Sequence, residues 1–230
     1  MTRMPGLLSL EEPCAERTRP ARQPAWRALR TVLIGACMTV LSACSPPPVP
    51  DVTYFRLPPP APLPHAAKAL SLLPIEVDTF NAEGVYAEQA LLYAIAPNTG
   101  ALKAYHYQLW SDPPTHALQT RLVNMLRDSG IATLVTDRLP ASIQALRIQG
   151  TIRGFERIKD GESYTASVRL QLRIEQEKGE PIIEQQYSAD VPAADTTIQT
   201  TVDAFGAAVD QVFAKFYADL IALEGDANGK

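Results

Sequence analysis

The chain has 230 residues, with 21 Lys and Arg against 25 Asp and Glu and a formal charge of −4. Its first 43 residues hold six of the Arg and three of the Glu, so the remaining 187 carry 15 basic against 22 acidic side chains, a net −7. Neutralising phosphates needs clustered Lys and Arg, and that balance excludes nucleic acid from the expected partners.

Arg22, Arg27 and Arg30 precede an uncharged stretch from Thr31 to Ala43, the pattern of a basic n-region and short apolar h-region of an export signal. The stretch is too short to span a bilayer comfortably. It ends Leu41-Ser42-Ala43-Cys44, which resembles the lipobox of bacterial lipoproteins. That resemblance implies cleavage after residue 43 and a diacylglycerol on the Cys44 sulfur. Each buried acyl methylene contributes about 0.8 kcal/mol, so two or three chains make such an anchor effectively permanent. Ser45, where lipoproteins kept in the inner membrane often carry Asp, favours the periplasmic face of the outer membrane by the same resemblance. The other cysteines, Cys14 and Cys37, fall inside the segment expected to be removed. The mature domain is then expected to have no disulfide, thiolate nucleophile or cysteine metal site.

Residues 44–69 read as a lipidated cysteine followed by a tether. Nine prolines lie in the nineteen residues from Pro46 to Pro64, which favours extended polyproline II backbone and a semi-rigid spacer. One apolar patch, Tyr54-Phe55-Arg56-Leu57, interrupts it. Two adjacent aromatics favour docking of this patch as a short edge strand over full solvation.

From residue 70 to 224 strand and helix signals alternate, and 225–230 read as a disordered tail. Leu72, Leu73, Ile75 and Val77 suggest a first strand. Ala90 to Ala96 and Leu102 to Trp110 flank the turn signal Pro97-Asn98-Thr99-Gly100, a hairpin. Asp112 as cap and Pro113 as first residue predict a helix, with Leu118, Leu122, Met125 and Leu126 on one face until Gly130. Ile131 to Val135 looks like a short buried strand. Three long antiparallel strands follow, joined by Asp160-Gly161 and Lys178-Gly179. The clearest alternation is Ala166, Val168, Leu170, Leu172 and Ile174 against Ser167, Arg169, Gln171, Arg173 and Glu175. The third strand runs from Ile182 to Ala189. A last helix, about Thr197 to Leu223, carries Val202, Phe205, Val209, Val212, Phe213, Phe216 and Leu220 on one stripe, which only the apolar sheet face is large enough to cover. The expected fold is a single α+β domain, mainly antiparallel sheet, with two amphipathic helices on one face.

The sequence holds no Gly-rich phosphate loop, no G-x-S-x-G elbow and no H-E-x-x-H. His65, His106 and His116 fall on separate elements, and three unconnected histidines is the favoured reading over a shared metal or triad. No catalytic residue, cofactor or metal is expected. Gly150-Thr151-Ile152-Arg153-Gly154 lies in an alternating strand and reads as a bulge or close packing point. Tyr105, Tyr107 and Trp110, with Tyr86 and Tyr93, make either an aromatic platform or, preferred, core. Arg147, Arg153, Arg157, Arg169 and Arg173 form an expected outward row. It is either a solvated face balanced by Glu156 and Glu175, or a surface that docks a partner or an acidic headgroup. With Tyr54 and Phe55 it makes up the candidate partner surface.

The order of these features resembles the auxiliary lipoproteins of ABC-type lipid transporters, the PqiC-like family associated with MCE-domain proteins. The matching stretches are the lipobox, Tyr54-Phe55-Arg56-Leu57, then Tyr105-His106-Tyr107-Gln108-Leu109-Trp110 leading into Asp112-Pro113-Pro114 and the amphipathic helix, and finally the meander and C-terminal helix. The resemblance implies a non-catalytic, lipid-anchored periplasmic subunit of an envelope lipid or phospholipid transport system. Its partners would be an MCE protein, a permease and an ATPase, and it would act as a docking component or oligomeric collar. Two alternatives stay open: an outer-membrane assembly or chaperone lipoprotein, and a tethered periplasmic enzyme.

Overall fold

The computed structural model describes residues 49–67, 69, 73–176 and 181–227, with side chains as far as residue 223. The signal segment, Cys44 and the Lys178-Gly179 turn lie outside these residues. Residues from Pro50 onward form one compact unit. Its elements run β1 (Thr53–Phe55), β2 (Ile75–Val77), β3 (Asn81–Ala82), a 3₁₀ turn (Gly84–Ala87), β4 (Ala90–Ile95), β5 (Asn98–Trp110), α1 (Pro114–Ser129), β6 (Val135–Thr136), β7 (Leu146–Asp160), β8 (Ser163–Glu175), β9 (Pro181–Pro192) and α2 (Ile198–Ala227). The result is the expected single α+β domain.

The sheet is organised around β7. Along one side β7 pairs antiparallel with the whole length of β8, which pairs antiparallel with β9. Its other side is shared by three short parallel neighbours: β2 at Leu146–Ile148, β3 at Thr151–Ile152 and β4 at Glu156–Lys159. β4 continues into the β4–β5 hairpin, and β1 adds to β5 in parallel, with Tyr54 opposite Leu109. One face of the meander carries Ala166, Val168, Leu170, Leu172 and Ile174, all fully buried. The α2 stripe from Val202 to Leu220 covers them, every one of its seven predicted residues buried. α1 adds Leu118, Leu122, Met125 and Leu126 to the same core.

Several boundaries differ from expectation, each for a local reason. The hairpin turns at Ala96-Pro97, where Ile95 already faces Asn98, so β5 absorbs Asn98 to Gly100. Helix α1 begins at Pro114 with Pro113 at its cap; Asp112 makes no cap and instead accepts a hydrogen bond from the Ser111 hydroxyl at 3.0 Å. Gly130, at φ 68°, ends the helix in the left-handed conformation that glycine adopts without steric cost. Of Ile131 to Val135 only Val135 pairs in β6; Ile131 is buried, but Leu134 is 49% exposed. Helix α2 begins behind Thr197, whose hydroxyl accepts from the Thr200 amide, while Asp195 accepts from the Thr197 amide at 2.7 Å and the Thr200 hydroxyl at 2.8 Å. Those bonds hold the Asp195 carboxyl below the usual carboxylate range. Residues 225–227, expected as tail, continue the helix, because extending an existing helix fixes only one residue's dihedrals at a time.

The larger correction concerns the proline-rich stretch. Residues 53–66 are not a free spacer but a strap bound across the domain. After β1, the carbonyls of Pro58 and Pro59 accept from Arg121, and the amide of Ala61 donates to Asp210 at 2.9 Å. Leu63 is buried in the core. The Tyr217 hydroxyl donates to the Pro64 carbonyl at 2.7 Å, and the Ala66 amide to the Ser129 carbonyl at 2.8 Å. Polyproline II leaves its carbonyls without internal partners. Arg121 and Tyr217 provide donors for them.

The Pro58 ring lies so close to α2 that a Cβ on Gly206 would clash with Cγ of that ring. Alanine for glycine inside a helix ordinarily gains about 1 kcal/mol, whereas forcing an extra carbon into a filled contact costs about 1–3 kcal/mol. Gly206→Ala is therefore expected to show net destabilisation in chemical denaturation. A net gain near the helix-propensity value would mean that the strap is not held at Pro58.

Candidate functional site

Two regions gather chemistry-bearing side chains: the outward face of the β7–β9 meander and the cleft beneath the strap. On the meander face, Arg147 pairs with Glu76 at 3.1 Å and lies 3.9 Å from Asp78. Arg173 pairs with Glu175 at 2.7 Å and Glu184 at 3.7 Å. Arg169 lies across Gly154, where a Cβ would strike its guanidinium, and pairs with the buried Glu156. Glu156 also accepts from the Tyr86 hydroxyl at 3.3 Å. Arg153 is exposed and donates to Gln171 at 2.8 Å. Four of the five predicted arginines are thus brought together, and with Glu76, Asp78, Glu156, Glu175 and Glu184 beside them the face has no net positive charge. Where both partners reach solvent, as in Arg147–Asp78 and Arg173–Glu184, such a pair contributes about 0–1 kcal/mol.

Arg157 is not among them. Ile152 stands opposite Leu170 but Gly154 opposite Arg169, so Arg153 is an extra residue and β7 carries a bulge there. A one-residue insertion exchanges the two faces of everything beyond it. Arg157 therefore stands opposite Ala166 on the helix side, 3% exposed. It donates to the Tyr105 hydroxyl at 2.8 Å and the Thr196 carbonyl at 2.7 Å, and its guanidinium carbon sits 3.5 Å from the centre of the Tyr164 ring. Its task in the fold is to hold the chain entering α2. The motif from Gly150 to Gly154 is both a bulge and a packing point, since Gly150 leaves room for the Phe80 ring.

The five aromatics do not form one platform. Trp110 is buried against Phe155 and Phe205, with ring centres 5.4 Å from each. Tyr93 and Tyr105 contact one another at 4.6 Å, while Tyr86 faces Glu156. On β1, Phe55 turns towards the core and Tyr54 is 61% exposed. His65, His106 and His116 are exposed on the strap, β5 and α1. Among the described residues no group of three or more His, Cys, Asp and Glu is placed to hold a metal ion.

The second region escaped sequence reasoning. A cleft of about 500 Å³ opens between strap residues Phe55–Pro60 and the first turns of α1, with Trp110 and Phe155 at its floor. Arg121, on the same wall, is pinned by Asp210 at 2.7 Å and the prolyl carbonyls. The legible signal was an arginine at position 121, three residues after Leu118 and four before Met125, on the buried stripe of α1.

Burial is the largest influence on Asp78 and pushes its carboxyl above the ordinary value. The hydrogen bond from Gln149 lowers it, Glu76 raises it, Arg147 lowers it and Glu175 raises it again. A group whose folded value is raised above the unfolded one, about 3.9 for Asp, favours the fold when protonated and loses that contribution as pH rises through the folded value. Asp78→Asn is expected to leave stability at pH 3 nearly unchanged and to increase it at pH 7. An identical effect at both pH values would contradict this.

The pattern that describes the ABC-type transport auxiliary lipoprotein component matches residues 55–216. By fold, the chain is similar to a crystal structure of a Xanthomonas campestris protein of the family DUF330, at TM-score 0.65 and 18% identity over 76% of this chain and 98% of that one. It is also similar to the crystal structure of an uncharacterised protein, at TM-score 0.54 and 15% identity over 74% of this chain and 99% of the other. No curated protein matches its sequence.

Proposed function

Since the chain belongs to the ABC-type transport auxiliary lipoprotein family, we propose that it is a non-catalytic, lipid-anchored periplasmic subunit of an MCE-associated envelope lipid transport system. The match across residues 55–216, which takes in the strap from Phe55 onward, the meander and most of α2, is the observation that carries this reading. Cys44 is the proposed lipid attachment point, and the periplasmic face of the outer membrane the proposed location. No helix among the described residues is long and apolar enough to cross a membrane. Because the strap is bound from Thr53 onward, only nine residue steps separate it from Cys44. They span at most about 30 Å. The domain would thus sit close to the bilayer that holds it.

The partner surface is better assigned to β1 than to the arginine row. The row is neutralised by its own carboxylates, and Arg157 is buried beneath the sheet. Tyr54 on β1 and Val52 just before it are 61% and 47% exposed, and β1 is an edge strand whose outer side has no paired strand among the described residues. Exposed tyrosine on an open strand edge is a common anchor for a protein partner. The occupant proposed here is the MCE-domain protein, with this chain serving as its docking or collar component at the outer membrane.

Crosslinking in intact cells followed by capture through a C-terminal tag tests this. The expected yield is an MCE protein together with its permease and ATPase, and Tyr54→Asp should cut that yield at least several-fold, while Arg153→Glu leaves it unchanged. Recovery of an outer-membrane barrel in their place would favour an assembly factor, and loss of capture in Arg153→Glu alone would return the arginine face to the role.

A further inference from the structure

The cleft under the strap has the dimensions and lining of a ligand site that none of the preceding roles uses. Small-molecule sites commonly enclose about 300–1,000 Å³ and are walled by carbon with a few polar groups at the opening. Here the volume is about 500 Å³, and Phe55, Leu57, Pro58, Trp110, Pro114 and Phe155 supply rings and alkyl groups on opposing walls. The polar side chains nearest the interior are already committed. Arg121 is neutralised by Asp210 and gives its remaining donors to prolyl carbonyls. Asp112, at the opening, accepts from Ser111. What remains of the polar lining includes the exposed side chains of Thr120 and Asn124 on α1, the exposed imidazole of His116 and the exposed Arg56, the one guanidinium of the lining without a carboxylate partner among the described residues.

An apolar interior with a cationic side chain at its rim suits an amphiphile: a hydrocarbon chain inside, a carboxylate or phosphate head outside. A polar metabolite would leave its own groups without partners against the Trp110 and Phe155 floor, at a cost of about 1–3 kcal/mol each. We propose that this cleft binds a single hydrocarbon chain of a membrane amphiphile, with its anionic head group held at the mouth by Arg56. The wall that faces α1 is the strap itself, so the strap is a structural part of the site. That the occupant comes from a membrane rests on the anchoring part of the proposed function. The binding itself does not, and a purified protein suffices to test it.

The full chain contains two tryptophans, Trp26 and Trp110. Cys44→Ser, which removes the attachment sulfur, and Trp26→Phe leave an unacylated chain whose only tryptophan forms the cleft floor. Titration with 9,10-dibromostearate, and separately with phosphatidylethanolamine bearing a dibrominated chain, is read as quenching of Trp110. Saturable, one-to-one quenching by either supports the proposal, and which of the two quenches identifies a free fatty acid or a phospholipid as the source. Thr120→Phe fills the cleft from an exposed position on α1 and should abolish the quenching while the circular dichroism spectrum and thermal midpoint stay unchanged. Arg56→Glu should weaken binding about tenfold. Absence of quenching by both probes, or non-saturating quenching that persists in Thr120→Phe, would overturn the proposal, whatever the capture experiment finds.

Discussion

Arg121 sits at the meeting point of α1, α2 and the strap, its side chain 5% exposed. A guanidinium removed from water is tolerated only when its charge and its N–H groups are both answered. Asp210 answers the charge, and the carbonyls of Pro58 and Pro59 take up the remaining donors. Asp210 in turn accepts from the Ala61 amide, so one ion pair fastens two helices and the strap at once. Around it the Pro58 ring lies on Gly206, Leu63 enters the core and Tyr217 grips Pro64. The wall of the cleft is fixed by this cluster.

The sheet obeys a different constraint. β7 is long enough to serve β8 on one side and three short strands on the other, and its bulge at Arg153 lets it change the face it presents midway. Before the bulge, Ile148, Gly150 and Ile152 meet the helices. After it, Phe155 and Arg157 do, which brings Phe155 against Trp110 and Phe205 and places Arg157 under the entry to α2. If the same residues paired without the bulge, Glu156 would face the apolar core, and Arg169 would lose its buried partner.

Strict alternation from Ala166 to Glu175 and the helical stripe from Val202 to Leu220 made the meander and α2 legible from sequence, because both are one-dimensional patterns with a single period. The arginine row was read by carrying the same alternation through Gly150–Gly154. A bulge leaves no mark on composition beyond the glycine that makes space for Arg169, so Arg157 was assigned to the wrong face. The prolines correctly announced extended backbone. Whether such backbone hangs free or is bound depends on partners about 60 to 150 residues away in the chain, the donors Arg121 and Tyr217 and the acceptor Asp210, and no local pattern links them. The cleft was illegible for the same reason, since one of its walls is that bound strap.

The proposed docking edge, the proposed short reach to the bilayer and the cleft all require residues 53–66 to belong to the domain. Amide hydrogen exchange on the intact chain tests this most directly, read at Ala61, Ala66 and Ser111, whose amides donate to Asp210, Ser129 and Phe55. The account predicts protection comparable to the ends of α1, and its loss at Ala61 in Asp210→Ala while β8 stays protected. Exchange at Ala61 and Ala66 at the rate of an unstructured peptide in the unaltered protein would show a free tether and contradict the account.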